Sequence, residues 1–235
     1  MSGWAAKRFW TSTSVHEVEG GFTVQLDARA VKTPAKAPLI VPTRAMAEAI
    51  AAEWDAQSGK VNPETMPFTR AANSSIDKIT PLLEAVVDEV AGFGASDLLC
   101  YRAVTPEELV ARQEMAWDPI LRWAAEDLGA TLTVTRGIMH VEQPAESLVV
   151  LRGLVKGHSP FQLMALHDLV AITGSLVLGL AVARNRLSPE EGFALSRIDE
   201  LWQIEHWGED EDAAKIESLK QLAFKNAAKF FALCG

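Results

Sequence analysis

The sequence is short of several things, and each shortage excludes something. It holds two cysteines, Cys100 and Cys234. Neither has a second cysteine at metal-ligand spacing, and two thiols make no disulfide framework. A reducing, intracellular setting is therefore expected. The start, "MSGWAAKRFW", has no apolar core of the kind a secretory signal needs. The longest uncharged apolar run, Leu169 to Ala183, is 15 residues. That is short of the roughly 20 needed to span a bilayer, so it reads as a buried core helix and no membrane insertion is expected. Basic charge is also in deficit. The formal net charge is −9, which argues against a nucleic-acid partner, because phosphate neutralisation needs a basic face.

Catalytic signatures are missing as well. There is no phosphate-binding Walker loop, no nucleophile elbow, no Cys-x-x-Cys and no Gly-rich dinucleotide turn. The five histidines, His16, His140, His158, His167 and His206, are scattered and form no His-x-x-x-His pair. His167-Asp168 lies in an apolar helical stretch and reads as a core histidine with a local hydrogen-bond partner. No internal repeat or low-complexity tract interrupts the chain.

What is present is an ordinary globular composition, 49% hydrophobic and 23% charged over 235 residues. "FTVQL" alternates apolar and polar residues, the period of a half-buried strand, and lies between Gly20-Gly21 and Asp27-Ala28-Arg29 as turns. "PLIV" at 38–41 reads as a second short strand in an antiparallel meander. From Thr43 the period turns helical: "TRAMAEAIAAEWDAQSG" starts at a Thr cap and stops at Ser58-Gly59. "FTRAANSSIDKI" reads as helix, and Thr80-Pro81 opens another. Thr105-Pro106-Glu107-Glu108 and Ser188-Pro189-Glu190-Glu191 both have the form of a capping box. The helix after the first runs to Gly129, with Pro119 expected to kink or break it. "TLTVTRGIMHV" reads as a short hairpin, and a last helix covers about 212–233. The pattern gives an α+β protein. A small antiparallel β-sheet with helices, residues 1–85, precedes a mainly helical domain over 86–235, expected as an orthogonal helical bundle.

The acidity is local. Between Ser188 and Glu217 stand ten acids against two bases, a net −8, so the rest of the chain sums to −1. Such a field can select a partner. Its densest part is "DELWQIEHWGEDED", 199–212. On one continuous helix at 100° per residue, Leu201, Ala194, Ile198, Trp202 and Leu195 make an apolar arc with Glu205 near its centre. A buried, unpaired carboxylate there would cost several kcal/mol. Either an arginine or a backbone amide satisfies it internally, or that part of the arc meets a partner protein. Gly208 is a helix stop, and four acids follow it, three of which can cap or precede the last helix. "EWDAQ" and "MPFTRAAN" also mix polar with apolar groups, making Trp54, Arg70 and Asn73 secondary candidates beside the bland reading of helix capping.

Eight blocks in one order carry a resemblance: "KRFW", "GGFTVQLDARAVKTPAKAPLIVP", "AEAIAAEWDAQ", "PETMPFTRAAN", "DLLCYRA", "WDPIL", "LHDLVAITGSLVLGLAV" and "DELWQIEHWGEDEDA". Together they resemble the assembly-chaperone family for the α subunit of F-type ATP synthase. The resemblance implies a non-enzymatic protein of two domains, without cofactor or metal. It implies a partner, the newly made α subunit, held before it joins β and released before the enzyme is complete. It implies that Trp202, Gln203, Glu205, Trp207, Glu209 and Asp210 bind that partner, with Glu205 the critical position. Without an import segment at its start, the chain is expected to be a bacterial cytoplasmic member rather than a mature mitochondrial one. A chaperone with one protein client needs no symmetry, so a monomer is expected. The residues alone leave one alternative, a metal-dependent hydrolase built from Glu205, His206, Asp210 and His167.

Overall fold

A computed structural model describes residues 7–235. The signal-free reading of the extreme N-terminus falls partly on Met1–Ala6, outside the described residues. The chain divides into two compact units. One comprises the described residues up to Leu83 with Ser159–Ala165 and Lys229–Gly235; the other comprises Glu84–His158 and Leu166–Ala228. The first unit is thus assembled from three stretches of sequence, including both ends of the described chain.

In the first unit the central strand is β2 (Gly21–Leu26), paired antiparallel with β1 (Thr13–Val18), β3 (Arg29–Ala30) and β4 (Ile40–Val41). Val15 faces Val24 and Glu17 faces Phe22 across the β1–β2 hairpin. Strand alternation puts Val24 and Leu26 on the inner face, and both are buried. Helix α1 (Arg44–Asp55) lays Met46, Ala47, Ile50 and Ala51 into the same core. Its start is set by Thr43, whose side chain accepts from the Met46 amide. Helix α2 (Pro67–Ser74) is capped from a distance. The Glu53 carboxylate accepts from the Phe68 and Thr69 amides at 2.7 and 2.8 Å, so a glutamate of α1 supplies the acceptor that Met66 cannot.

The second unit is helical: α3 (Leu83–Gly92), α4 (Glu107–Asp127), α5 (Ala145–Lys156), α6 (Pro160–Thr173), α7 (Leu176–Ala183), α8 (Pro189–Leu195), α9 (Ile198–Trp207) and α10 (Glu211–Ala232). The first residue of α3, the first turns of α6 and the end of α10 belong to the first unit. A two-stranded parallel sheet joins β5 (Tyr101–Arg102) to β6 (Thr135–Arg136). The expected hairpin over 131–141 does not form. Its strand pairs with β5, some thirty residues upstream, because β5 offers a free edge that a local turn would have to build.

Three further expectations change. Pro119 does not break α4, which is continuous from Glu107 to Asp127 with Pro119 on its exposed side. Thr105 does not cap α4; the N-cap is Pro106 and no side chain caps it. At Ser188 the capping box does form: Ser188 Oγ accepts the Glu191 amide and the Glu191 carboxylate accepts the Ser188 amide. The apolar run 169–183 is not one helix. It breaks at Gly174, whose φ of 69° favours glycine, and restarts at Ser175, the cap of α7. All seven residues from Leu176 to Val182 are buried, consistent with a helix apolar on every side. Gly179 lets α6 approach closely, since a Cβ there would stand 2.6 Å from a Val170 methyl.

The break is held by a buried acid. Asp97 is fully buried and accepts from Ser175 Oγ at 2.7 Å, the Val177 amide at 3.0 Å and the Leu99 amide at 3.0 Å. Burial pushes its carboxyl up to about 6, while these donors pull the other way.

Two outcomes follow. The folded protein keeps the Asp97 proton to higher pH than the unfolded chain does. Its contribution to stability is therefore full below about pH 4 and is lost as pH rises through about 6. The loss is on the order of 3 kcal/mol. In Asp97→Asn that slope should vanish from urea melts taken between pH 4 and 7. The variant should also be less stable at pH 7 by about 1–3 kcal/mol, because an amide cannot accept from every donor present. Separately, Ser188→Ala should cost about 1 kcal/mol in the same melts, the ordinary value of an N-cap.

Candidate functional site

Helix α9 is short, acidic and little buried. Of its ten residues only Ile198 is buried. The sequence wheel treated Phe193 to Trp207 as one helix. The chain instead ends α8 at Leu195 and restarts at Ile198, with Arg197 out of helical conformation. Ala194 and Leu195 therefore do not lie on one helix with Glu205, and Glu205 is not at the centre of a buried arc. Its side chain is 51% exposed.

Glu205 nevertheless has an internal partner. Arg112 Nη1 on α4 donates to both of its carboxylate oxygens, at 2.9 and 2.7 Å. That bond holds the Glu205 carboxyl below its usual range and the Arg112 guanidinium above its own. Six positions earlier, about 9 Å along the helix axis, Asp199 accepts from Gln113 Nε2 at 2.6 Å. Gln113 is buried, and its amide oxygen accepts from the Ala103 backbone at 2.8 Å. Adjacent residues of α4 thus tie both ends of α9.

Clefts flank α9 on its two sides. One, of about 490 Å³, is lined by Tyr101, Val104, Leu109, Gln113, Ile138, Asp199 and Trp202. The other, of about 380 Å³, is lined by Leu201, Ile204, Asp210, Ala213 and Glu217. Gln203 and Trp207 line both. Trp207 is 78% exposed and Ile138 is 95% exposed. Large apolar groups left in water around a cleft are the mark of an interaction surface. Trp202 stacks on His206, with ring centroids 4.2 Å apart. His206 Nδ1 lies 2.8 Å from the Trp202 carbonyl oxygen, so that nitrogen carries the proton.

After α9 the chain turns at Gly208, with φ of 89°, and Asp210 caps α10 by accepting the Ala213 amide at 2.8 Å. Glu209 is exposed. The candidates Trp202, Gln203, Glu205, Trp207, Glu209 and Asp210 therefore lie on one helix and its exit turn. Trp54, Arg70 and Asn73 belong to the other unit. There Trp54 packs edge-on against Trp10 at 5.3 Å, and Arg70 and Asn73 lie on α2, with Arg70 exposed. The indole nitrogen of Trp54 and the amide oxygen of Asn73 are buried without a partner. Sequence reasoning missed Arg112, Gln113, Tyr101, Val104 and Ile138. No local signal marks them, since each joins the site only through the fold.

The hydrolase alternative finds no assembled centre. Among the described residues no group of three or more His, Cys, Asp or Glu is placed to hold a metal ion. His167 bonds Asp168 at 3.2 Å, which raises its pKa although burial opposes this. Among the described residues no helix is long and apolar enough to cross a membrane.

Comparison with known proteins gives the family. The family model for the ATP12 chaperone protein matches residues 7–125. The crystal structure of Atp12 from Paracoccus denitrificans is 46% identical and superposes with a TM-score of 0.96, covering 99% of this chain and 100% of that one. A protein of Agrobacterium tumefaciens, 43% identical, gives a TM-score of 0.94 over 97% of this chain and 86% of its own. The mitochondrial protein atp12 of Schizosaccharomyces pombe is 27% identical over 225 residues, 90% of this chain and 77% of its own length. Helix α9 lies beyond the matched family segment but within the near-complete structural matches. The chain belongs to the ATP12 chaperone protein family, non-enzymatic assembly chaperones of the F-type ATP synthase.

Proposed function

We propose that this chaperone binds the unassembled α subunit of F-type ATP synthase, covers its subunit interface and hands it on to β without staying in the final complex. The observation that carries the reading is α9: a surface helix with one buried residue and two flanking clefts. An α subunit that lacks its β neighbour exposes a large apolar interface, and such patches aggregate. Trp202 and Trp207 offer aromatic contact area. Glu205, Glu209 and Asp210 surround it with negative charge, which sets register and rejects wrong partners more than it adds affinity. Gln203, lining both clefts, is a hydrogen-bonding group at the centre of the face. Trp54, Arg70 and Asn73 are candidates for a second contact on the other unit. Release when β takes over the covered surface requires no chemistry on the client. The two solved relatives named above are from bacteria, which supports a bacterial cytoplasmic setting.

Capture of purified α subunit by the immobilised chaperone tests this. Trp207→Ala should weaken capture at least tenfold, about 1.4 kcal/mol or more of binding. Its thermal melt should stay within about 0.5 kcal/mol of wild type, because the side chain is exposed. Glu205→Lys should also lose capture. If the wild-type protein fails to hold soluble, unassembled α, the proposal is wrong.

A further inference from the structure

Helix α9 is attached to its own unit by few groups. Ile198 is its single buried residue. Its N-terminal end is secured by the Asp199–Gln113 bond, and by Arg197 just before it, which reaches Glu217 at 2.8 Å. Between Gln203 and Trp207 no side chain is buried. In that last stretch, among the described residues, the side-chain hydrogen bond to another element is the one from Glu205 to Arg112. The other side-chain links there, from His206 to the Trp202 carbonyl and to the Trp202 and Trp207 rings, stay inside the helix. Yet Gln203 and Trp207, the residues shared by both clefts, are in that stretch. Their position depends on where the end of α9 is held.

We infer that Arg112 is a positioning residue for the docking face: by holding Glu205 it fixes the C-terminal turn of α9 against α4 and sets the places of Gln203 and Trp207. The inference rests on the reading of α9 as the client-binding face, and it assigns Glu205 a second duty beside contact with the client. Arg112 suits the task. It is on the long helix α4, adjacent to the buried Gln113 that ties the other end, so both anchors move as one rigid element. One guanidinium nitrogen meets both carboxylate oxygens, which constrains the carboxylate more than a single contact would. Because the pair is exposed, it constrains direction and adds little to global stability.

Hydrogen exchange of the free protein, read by mass spectrometry over peptides covering 198–207, tests the geometry without the client. In Arg112→Ala, amides of the last turn should exchange at least fivefold faster, with exchange in α4 and the melting temperature unchanged. The double exchange Arg112→Glu with Glu205→Arg should restore protection, and Arg112→Lys should restore part of it. Capture of α by Arg112→Ala should fall at least fivefold. Unchanged exchange in Arg112→Ala, or a double variant as fast as the single one, overturns the inference. So does faster exchange with undiminished capture. Stronger capture would overturn it too, by showing that Arg112 merely screens Glu205. If wild-type protein captures no α, the client reading fails, while the exchange result still decides whether Arg112 holds α9.

Discussion

The carboxyl of Asp97 is fully buried, and three of its donors, Ser175 Oγ and the amides of Val177 and Leu99, come from two separate stretches of chain. Much of the second unit depends on this arrangement. It satisfies free amides at the start of α7, which is apolar on every side and has no solvent to satisfy them. It also fixes the turn 97–100, from which β5 emerges directly. β5 then pairs with β6, and the next amide, that of Ala103, bonds Gln113. Gln113 in turn holds Asp199 at the head of α9. Links of covalent neighbourhood or hydrogen bonding thus run from the buried acid to the candidate docking helix. A buried polar network of this kind costs little while every member is satisfied and much when one is lost.

Helix α9 is the counterpart of that core. Its acids are solvated or paired at the surface, where ion pairs add little stability. Trp207 is exposed and Trp202, stacked on His206, is half-buried, so neither is committed to the protein's core. An exposed apolar helix end invites nonspecific association, and the surrounding carboxylates oppose that by requiring a partner with matching charge. The proposed role as a client-binding face would give this arrangement a purpose. A chaperone must cover an apolar client surface and then let it go, so rim charge and a few aromatic anchors suit it better than a large interdigitated interface.

Secondary structure was legible wherever local chemistry decides it. Thr43 and Ser188 capped the helices the sequence said they would, and the alternation in "FTVQL" marked β2. Two misses share one cause. The stretch near 135 did not fold back on itself, and the apolar run 169–183 did not stay one helix. In both a distant partner outcompeted the local option: β5 recruited β6, and Asp97 with Ser175 restarted a helix after Gly174. Sequence distances of 34 residues for β5–β6 and 78 for Asp97–Ser175 put these choices beyond any periodicity.

The sequence by itself determined the class of the fold, the absence of recognisable catalytic motifs, the acidic stretch near its end and the family resemblance. These are set by composition, period and the order of blocks, all readable along one dimension. Only the tertiary structure decided the environment of Glu205. A helical wheel assumes one unbroken axis, and the break between Leu195 and Ile198 removed that assumption. Glu205 moved from an imagined buried arc to an exposed turn, and its cation came from Arg112, 93 residues earlier. Opposite charges pair by proximity in space, and proximity between α4 and α9 is a product of packing that no local pattern encodes.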